Sequence, residues 1–362
     1  MSISLLQAYV PLLVWPSLGL LLFRVLPDDF PRRLGRGLYW LGIPLEIFAL
    51  AHQTDFSQNT SLAPLFTVIA LGIGLMLAMI ALRLMLWTES TNADPDTAES
   101  APLAQNFFTE NVSPSLAAAL KLSDQKSFTW RDKPRQGSFV LSSMISNTGF
   151  VGLAIVPAFV SAPYLGWVVF YSVTHNVVGT YGVGVFIASW FGRGFHAQSR
   201  WQQLKDVVTV PSLWAFLLGY ASNGWSFPAL AEITLQRSVW CVIPMALLLM
   251  GMRLSQLEGI RSLKLAVVPV LLKVVMLPGL VGAVAIASHL PTEACLVLVL
   301  MSGMPSAFAG LILAEEYGLD RELAASSIAL STGALLITLP LWVAIIERLV
   351  LWGISRPTIP GT

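Results

Sequence analysis

Charge is what this sequence lacks. Of its 362 residues only 11% are Asp, Glu, Lys or Arg, while 55% are hydrophobic. Soluble domains carry about 25% charged residues, so a water-soluble fold of this length is excluded, and so is a disordered chain. The apolar residues run in long blocks, not in short alternating strands, which excludes an outer-membrane barrel. Net charge is +1, too small a field for a nucleic-acid partner. There are two cysteines, Cys241 and Cys295, both in apolar runs and without metal spacing, so neither a disulfide framework nor a zinc site is expected. No G-x-x-x-x-G-K-[ST] loop is present, which argues against direct ATP drive. Missing H-E-x-x-H and G-x-S-x-G sequences argue against the commoner intramembrane hydrolases. The N-terminal stretch has neither a basic start nor a small-residue cleavage site, so it reads as a first span and not as a removed signal.

What is present are ten apolar runs, near residues 4–24, 36–52, 62–87, 138–160, 164–191, 207–222, 232–252, 263–288, 292–313 and 325–350. A spanning helix needs roughly 20 apolar residues. The reading is an all-α, multi-pass membrane protein. Cytoplasmic loops are enriched in Lys and Arg. With the N-terminus outside, seventeen of the 21 Lys and Arg residues fall in the loops after spans 1, 3, 5, 7 and 9. Both termini are therefore expected outside an inner (plasma) membrane.

An offset of 200 residues aligns spans 1–2 with 6–7: Pro11 with Pro211, Gly19 with Gly219, Trp40 with Trp240, Ile43 with Ile243 and Pro44 with Pro244. Five spans per half is odd, so the second half enters from the opposite side, giving an inverted-topology repeat of the kind many secondary transporters use. The register fails at the fourth span, because residues 88–137, rich in Ser, Thr, Asn, Asp and Pro, form an insertion absent from the second half. The chain then divides into spans 1–3 (1–87), a flexible cytoplasmic loop (88–137), spans 4–5 (138–191), a second cytoplasmic loop (192–206), spans 6–10 (207–350) and a tail (351–362). The loop is either a regulatory segment or a tolerated insertion.

Binding sites in such carriers lie at the midplane, where helices of the two halves are interrupted by Gly or Pro. The fourth span offers Asn147, Thr148, Gly149 and Gly152; the ninth offers Pro305, Ser306 and Gly310. Glycine permits unwinding and proline removes a donor. The freed backbone groups suit an anion at the positive ends of half-helices; the alternative is ordinary small-residue helix packing. Lys273 and Glu46 lie mid-span, where an ionisable group costs roughly 2.5–3.5 kcal/mol on insertion scales. Lys273 reads as an attractor for an anion, a proton carrier replacing a coupling cation, or a structural partner for carbonyls freed at Pro269 or Pro278. Glu46 reads as a coupling group or as a cap on the kink at Pro44. His175 and Asn176 are further candidate contacts, with interhelical hydrogen bonding as the alternative.

These motifs resemble the auxin efflux carrier family of membrane transporters, within the superfamily that includes bile-acid/sodium symporters. The resemblance rests on Asn147-Thr148-Gly149-Phe150-Val151-Gly152-Leu153, on Ile243-Pro244 through Gly251-Met252-Arg253-Leu254, and on Met304-Pro305-Ser306-Ala307 followed by Ala314-Glu315-Glu316-Tyr317-Gly318. Ser331-Thr332 and Thr338-Leu339-Pro340 resemble the family's last span. The family's proline after Gly-Leu is Ala154 here, and a polar residue expected four positions after the ninth-span proline is Ala309. The resemblance implies ten helices in two inverted five-helix halves, with broken, crossed fourth and ninth helices. It implies a carrier, not an enzyme, that moves a small organic anion such as auxin or a dicarboxylate, with Asn147 as a polar ligand and Pro305 as a helix breaker. No cofactor is expected beyond a coupling ion, H+ or Na+. The expected partners are the anion, the lipid bilayer and a second copy in a homodimer. The alternatives are a non-transporting ligand sensor and a sodium-coupled symporter of the bile-acid type.

Overall fold

Proline and small polar residues decide which apolar runs stay whole. The computed structural model describes residue 10 and residues 14–27, 29–53, 62–91, 129–192, 211–255 and 261–351. The expected loop at 88–137 falls outside the described residues over 92–128, as do 193–206 and the tail 352–362. Among the described residues the regular structure is helical, apart from one antiparallel bridge between Ser146 and Ser306.

Helix α1 covers residues 14–22. Helix α2 runs through Phe30–Gly37, a π-helical turn Leu38–Gly42 and Ile43–Gln53. Helix α3 is Leu62–Thr91, α6 is Pro211–Ala221, α7 is Ala229–Ser255 and α10 is Arg321–Leu351. Helix α5 runs through Leu165–Thr174, a π stretch His175–Gly184 and Val185–Phe191. Helix α8 joins Arg261–Leu271, a π turn Leu272–Met276 and Leu277–Ala287. Two of the π turns immediately precede a proline, Pro44 in α2 and Pro278 in α8. A proline ring clashes with the carbonyl four residues back, and widening the turn to an i→i+5 bond relieves the clash without breaking the helix.

Helices α4 and α9 are different, because each is divided in two. Lys133–Met144 (α4a) is followed by Thr148–Phe159 (α4b), and Thr292–Ser302 (α9a) by Phe308–Tyr317 (α9b). The second break has Pro305, which removes a donor and pushes Met304 out of the α region. The first has no proline. Ile145 is extended (φ −85, ψ 118), ahead of Ser146, Asn147 and Gly149, residue types that compete with helical bonding or weaken it.

Among the described residues, four helices are long and apolar enough to cross a membrane: Leu62–Thr91, Ala229–Met252, Leu263–Ala287 and Arg321–Leu349. Shorter apolar helices are Thr148–Phe159 and Thr292–Ser302. Large apolar side chains stand exposed along one stripe of α3, from Leu65 through Met76, Ile80 and Leu84 to Trp87, and again at Phe186, Trp190, Ile337 and Leu341. Exposed apolar surface of that extent suits a lipid environment. Inside, α4b and α9a contribute to one apolar cluster and α4a and α9b to another, so the two breaks form the boundary between them.

Two close approaches tie the remaining helices. A Cβ built on Gly19 of α1 would lie 2.1 Å from the Leu248 carbonyl oxygen of α7, and one on Gly219 of α6 would lie 2.7 Å from the Phe48 carbonyl oxygen of α2. Only glycine fits where backbones meet at this distance. Adding 200 to the first residue and subtracting it from the second turns one contact into the other.

Candidate functional site

The unwound segments 145–147 and 303–307 free backbone donors and acceptors that cannot stay unpaired at membrane depth. They are satisfied by each other. The Asn147 amide donates to the Pro305 carbonyl (2.7 Å) and the Ala307 amide to the Ile145 carbonyl (3.0 Å). The Ser306 hydroxyl donates to the Ser142 carbonyl (2.7 Å), and the Ser146 hydroxyl to the Ser302 carbonyl (3.2 Å). Two further amides go to neighbouring helices: that of Ser146 to His175 Nε2 in α5 (3.2 Å), and that of Ser306 to Ser331 Oγ in α10 (3.0 Å). Because His175 Nε2 accepts, this ring carries its proton on Nδ1.

Each of the four bonds between the two segments has a counterpart 160 residues away in which the segments exchange roles. The underlying sequence is Ser142-x-Met144-x-Ser146 repeated as Ser302-x-Met304-x-Ser306. Reading the two halves at the single offset of 200 hides this pattern. A second offset, shortened by the insertion, would have exposed Ser142, Ser146 and Ser302 as members of the crossing.

Lys273 breaks the exchange. It is fully buried, and its Nζ donates to the Met144 carbonyl (2.9 Å) and to the Ser146 hydroxyl. It has no counterpart in α3, which carries no charged residue between Leu62 and Leu82.

On one side of the crossing lies a cavity of about 580 Å³, within the usual range for a small-molecule site. Its floor includes Ser146, Asn147, Thr148, Gly149, Ala307 and Phe308, so the N-termini of α4b and α9b both face it. These ends carry partial positive charge and unbonded amides. Asn147 caps α4b, its Oδ1 accepting from the Phe150 amide (3.3 Å), which leaves its amide donors for the cavity. Asn176 and Thr180, one turn apart on α5, form a wall. Asn176 Nδ2 is held by the Ser172 carbonyl (2.9 Å). The hydroxyls of Thr148 and Thr180 are buried and have no hydrogen-bond partner. Buried polar groups are normally paired; both residues border the cavity, but their hydroxyl oxygens are shielded from it. The opposite wall is apolar, with Ile43 of α2 and Leu249 of α7. Arg32 and Arg36 of α2 and Glu315 of α9b also line the cavity.

Of the residues expected at the site, the cavity takes in Asn147, Thr148, Gly149 and Asn176. Pro305 and Ser306 sit in the crossing itself, Ser306 fully occupied by Ser142 and Ser331. Gly152 is buried against Met301 and Met304, and Gly310 is buried in the first turn of α9b with open space where a Cβ would stand. Lys273 and His175 brace the crossing from behind, with the lysine ammonium turned to the end of α4a, and the cations lining the cavity are Arg32 and Arg36. Glu46 is buried one turn beyond Ile43, and its Oε1 has no partner. The sequence reading missed Ser146, Thr180, Arg32 and Arg36. The arginines had been counted only as loop charge.

Comparison with known proteins points to membrane transport. Residues 208–343 match the family model described as membrane transport protein. The chain is 27% identical over 212 residues to an uncharacterized transporter of Methanothermobacter thermautotrophicus, covering 58% of this chain and 68% of the relative. It is 26% identical over 215 residues to the uncharacterized transporter MJ1031 of Methanocaldococcus jannaschii, covering 57% and 67%. With the uncharacterized transporter YfdV of Escherichia coli K12 the identity is 26% over 207 residues, covering 56% and 65%.

Proposed function

We propose that this chain, which belongs with the membrane transport proteins through residues 208–343, is a secondary carrier that moves a small organic anion by alternating access. The observation that carries the reading is the cavity above the crossing. It offers two half-helix N-termini and the side-chain amide of Asn147. All of these are donors, which suits a carboxylate. Arg32 and Arg36 add positive charge to draw an anion in, and the apolar wall of Ile43, Leu249 and Phe308 accommodates a hydrocarbon body. An auxin-like monocarboxylate or a small dicarboxylate meets these terms, carried outward.

In this reading the ten helices form two inverted halves of five, with α4 and α9 as the crossed pair. The exchanged contacts support it: Gly19 to Leu248 against Gly219 to Phe48 at an offset of 200, and Ser146 to Ser302 against Ser306 to Ser142 at an offset of 160. With cation-rich loops in the cytoplasm of a plasma (inner) membrane, both termini are outside. The Arg32 side is then cytoplasmic, and the conformation is open inward.

The test is flux of labelled indole-3-acetate, malate and malonate into proteoliposomes. Asn147→Ala is expected to lower flux of the accepted substrate by tenfold or more, on the order of one lost charge-assisted hydrogen bond. Arg32→Gln with Arg36→Gln is expected to raise KM more than it lowers the maximal rate. Unchanged flux in all of these variants would remove the site from consideration, and ligand binding without flux would point to a sensor.

A further inference from the structure

We propose that the Lys273 ammonium is a tethered cation, held where the end of a broken helix would otherwise bind a free coupling cation, so that the chain operates without Na+. The transport half of this statement rests on the carrier reading above; the binding half does not.

Its surroundings are those of a cation site made of neutral oxygens. Met144 is the last residue of α4a, so its carbonyl belongs to the negative end of a helix dipole. The unwound segment supplies a second oxygen, Ser146 Oγ. In carriers with discontinuous helices, such carbonyls and half-helix C-terminal ends are what coordinate a transported or coupling cation. Here Lys273 Nζ takes both oxygens. The lysine reaches them because it lies in the π turn Leu272–Met276 of α8.

Among the described residues Lys273 makes no ion pair, and the charged groups around it do not replace one. From α5 the facing titratable group is His175, whose Nε2 accepts from the Ser146 amide and whose ring is therefore neutral. From α3 no charged residue faces it between Leu62 and Leu82. On α10, Trp342 donates its indole N–H to the Val274 carbonyl (2.9 Å) beside it. No cluster of three His, Cys, Asp or Glu side chains exists among the described residues, so no acidic cation site competes with the oxygens the lysine holds. A purely structural lysine would need only volume and one hydrogen bond. A tethered cation needs its charge, and that difference can be measured.

The experiment uses the purified full chain in detergent, melted in NaCl and in choline chloride of equal ionic strength, with and without ethylammonium. The wild type is expected to melt at the same temperature in every salt. Lys273→Ala is expected to lose about 5 °C or more and to recover part of the loss in NaCl or ethylammonium. Lys273→Met fills the volume without charge and is expected to show no recovery. Specific stabilisation of the wild type by Na+ overturns the proposal, as does a Lys273→Ala protein indifferent to all cations. Should Lys273→Ala fail to fold, the wild-type comparison and Lys273→Met in the same salts still decide it. Flux in sodium-free vesicles supplies the transport arm. No flux in any salt counts against the carrier reading, whereas flux that requires Na+ counts against the tethered cation.

Discussion

Thr148 and Thr180 border the cavity and each works against the stability of the protein without ligand. Each buries a hydroxyl with no partner, and an unsatisfied buried polar group costs about 1–3 kcal/mol. Valine has nearly the same shape and no hydroxyl. Thr148→Val and Thr180→Val are therefore expected to raise the melting temperature of the ligand-free protein by a few degrees, read by thermal melting. If both variants melt lower than wild type, the hydroxyls are serving the fold. The crossing serines have the opposite character. Ser146→Ala strands the Ser302 carbonyl and one donor of Lys273, and Ser306→Ala strands the Ser142 carbonyl. Each is expected to destabilise by about 1–3 kcal/mol. Ser146→Ala should be the costlier, because a cationic partner is stranded with it.

At the scale of helices, the close approaches at Gly19 and Gly219 are constraints that no side chain can relax, since the opposing atoms are backbone carbonyl oxygens. Gly19→Ala and Gly219→Ala are expected to cost about 1–3 kcal/mol by overpacking. Gly72→Ala on α3, where nothing lies within 4 Å of the added atom, gains up to about 1 kcal/mol from helix propensity. Melting the three variants side by side separates packing from propensity; a Gly19→Ala protein as stable as Gly72→Ala would show that the helices part freely. These glycines were readable in the sequence, because the 200-residue offset aligned them before any contact was known. The helical, membrane-embedded character was readable too, from scarce charge and long apolar runs. Less was readable at the crossing. Periodicity cannot say that Ile145 is extended, because that break carries no proline and is held by pairing with a segment 160 residues away. Nor could the sequence separate Lys273 from a ligand contact, since its direction depends on the π turn that Pro278 induces. Arg32 and Arg36 were invisible for another reason: the density of charge marks a loop, but only the fold turns α2 toward the cavity.

For the molecule as a whole, two clasps decide which parts can move. At one end of the crossed pair Arg135 pairs with Asp320 at 2.9 Å, and the Ser138 hydroxyl donates to the Asp320 carbonyl (2.7 Å). At the other end the Ser161 amide and hydroxyl both donate to Glu293 Oε2 (2.7 and 2.6 Å). Each clasp joins the start of one broken helix to the segment following the other. Both are closed in a conformation whose cavity lies to one side of the crossing, so neither has to open for that side to be accessible. The crossed pair is thus braced at its centre and at both ends, as one body. The cavity lies between this body and α2 with α7, which are linked to α1 and α6 through the glycine contacts. If the chain is the carrier proposed above, alternation is expected as motion of α1, α2, α6 and α7 against the braced helices, in the manner of rigid-body domain transitions. Cross-linking distinguishes this from a mechanism that opens the clasps. In a background lacking Cys241 and Cys295, a cysteine pair at Ser161 and Glu293 ties two points already joined, and oxidising it is expected to leave flux intact. A pair at Ile43 and Gly149 is placed to bridge the two bodies, since the Ile43 Cγ2 atom lies 3.9 Å from a Cβ built on Gly149. Bridging that pair is expected to stop flux, with recovery on reduction. If the Ser161–Glu293 cross-link arrests flux instead, the clasp is a gate and the crossed pair does not move as a unit.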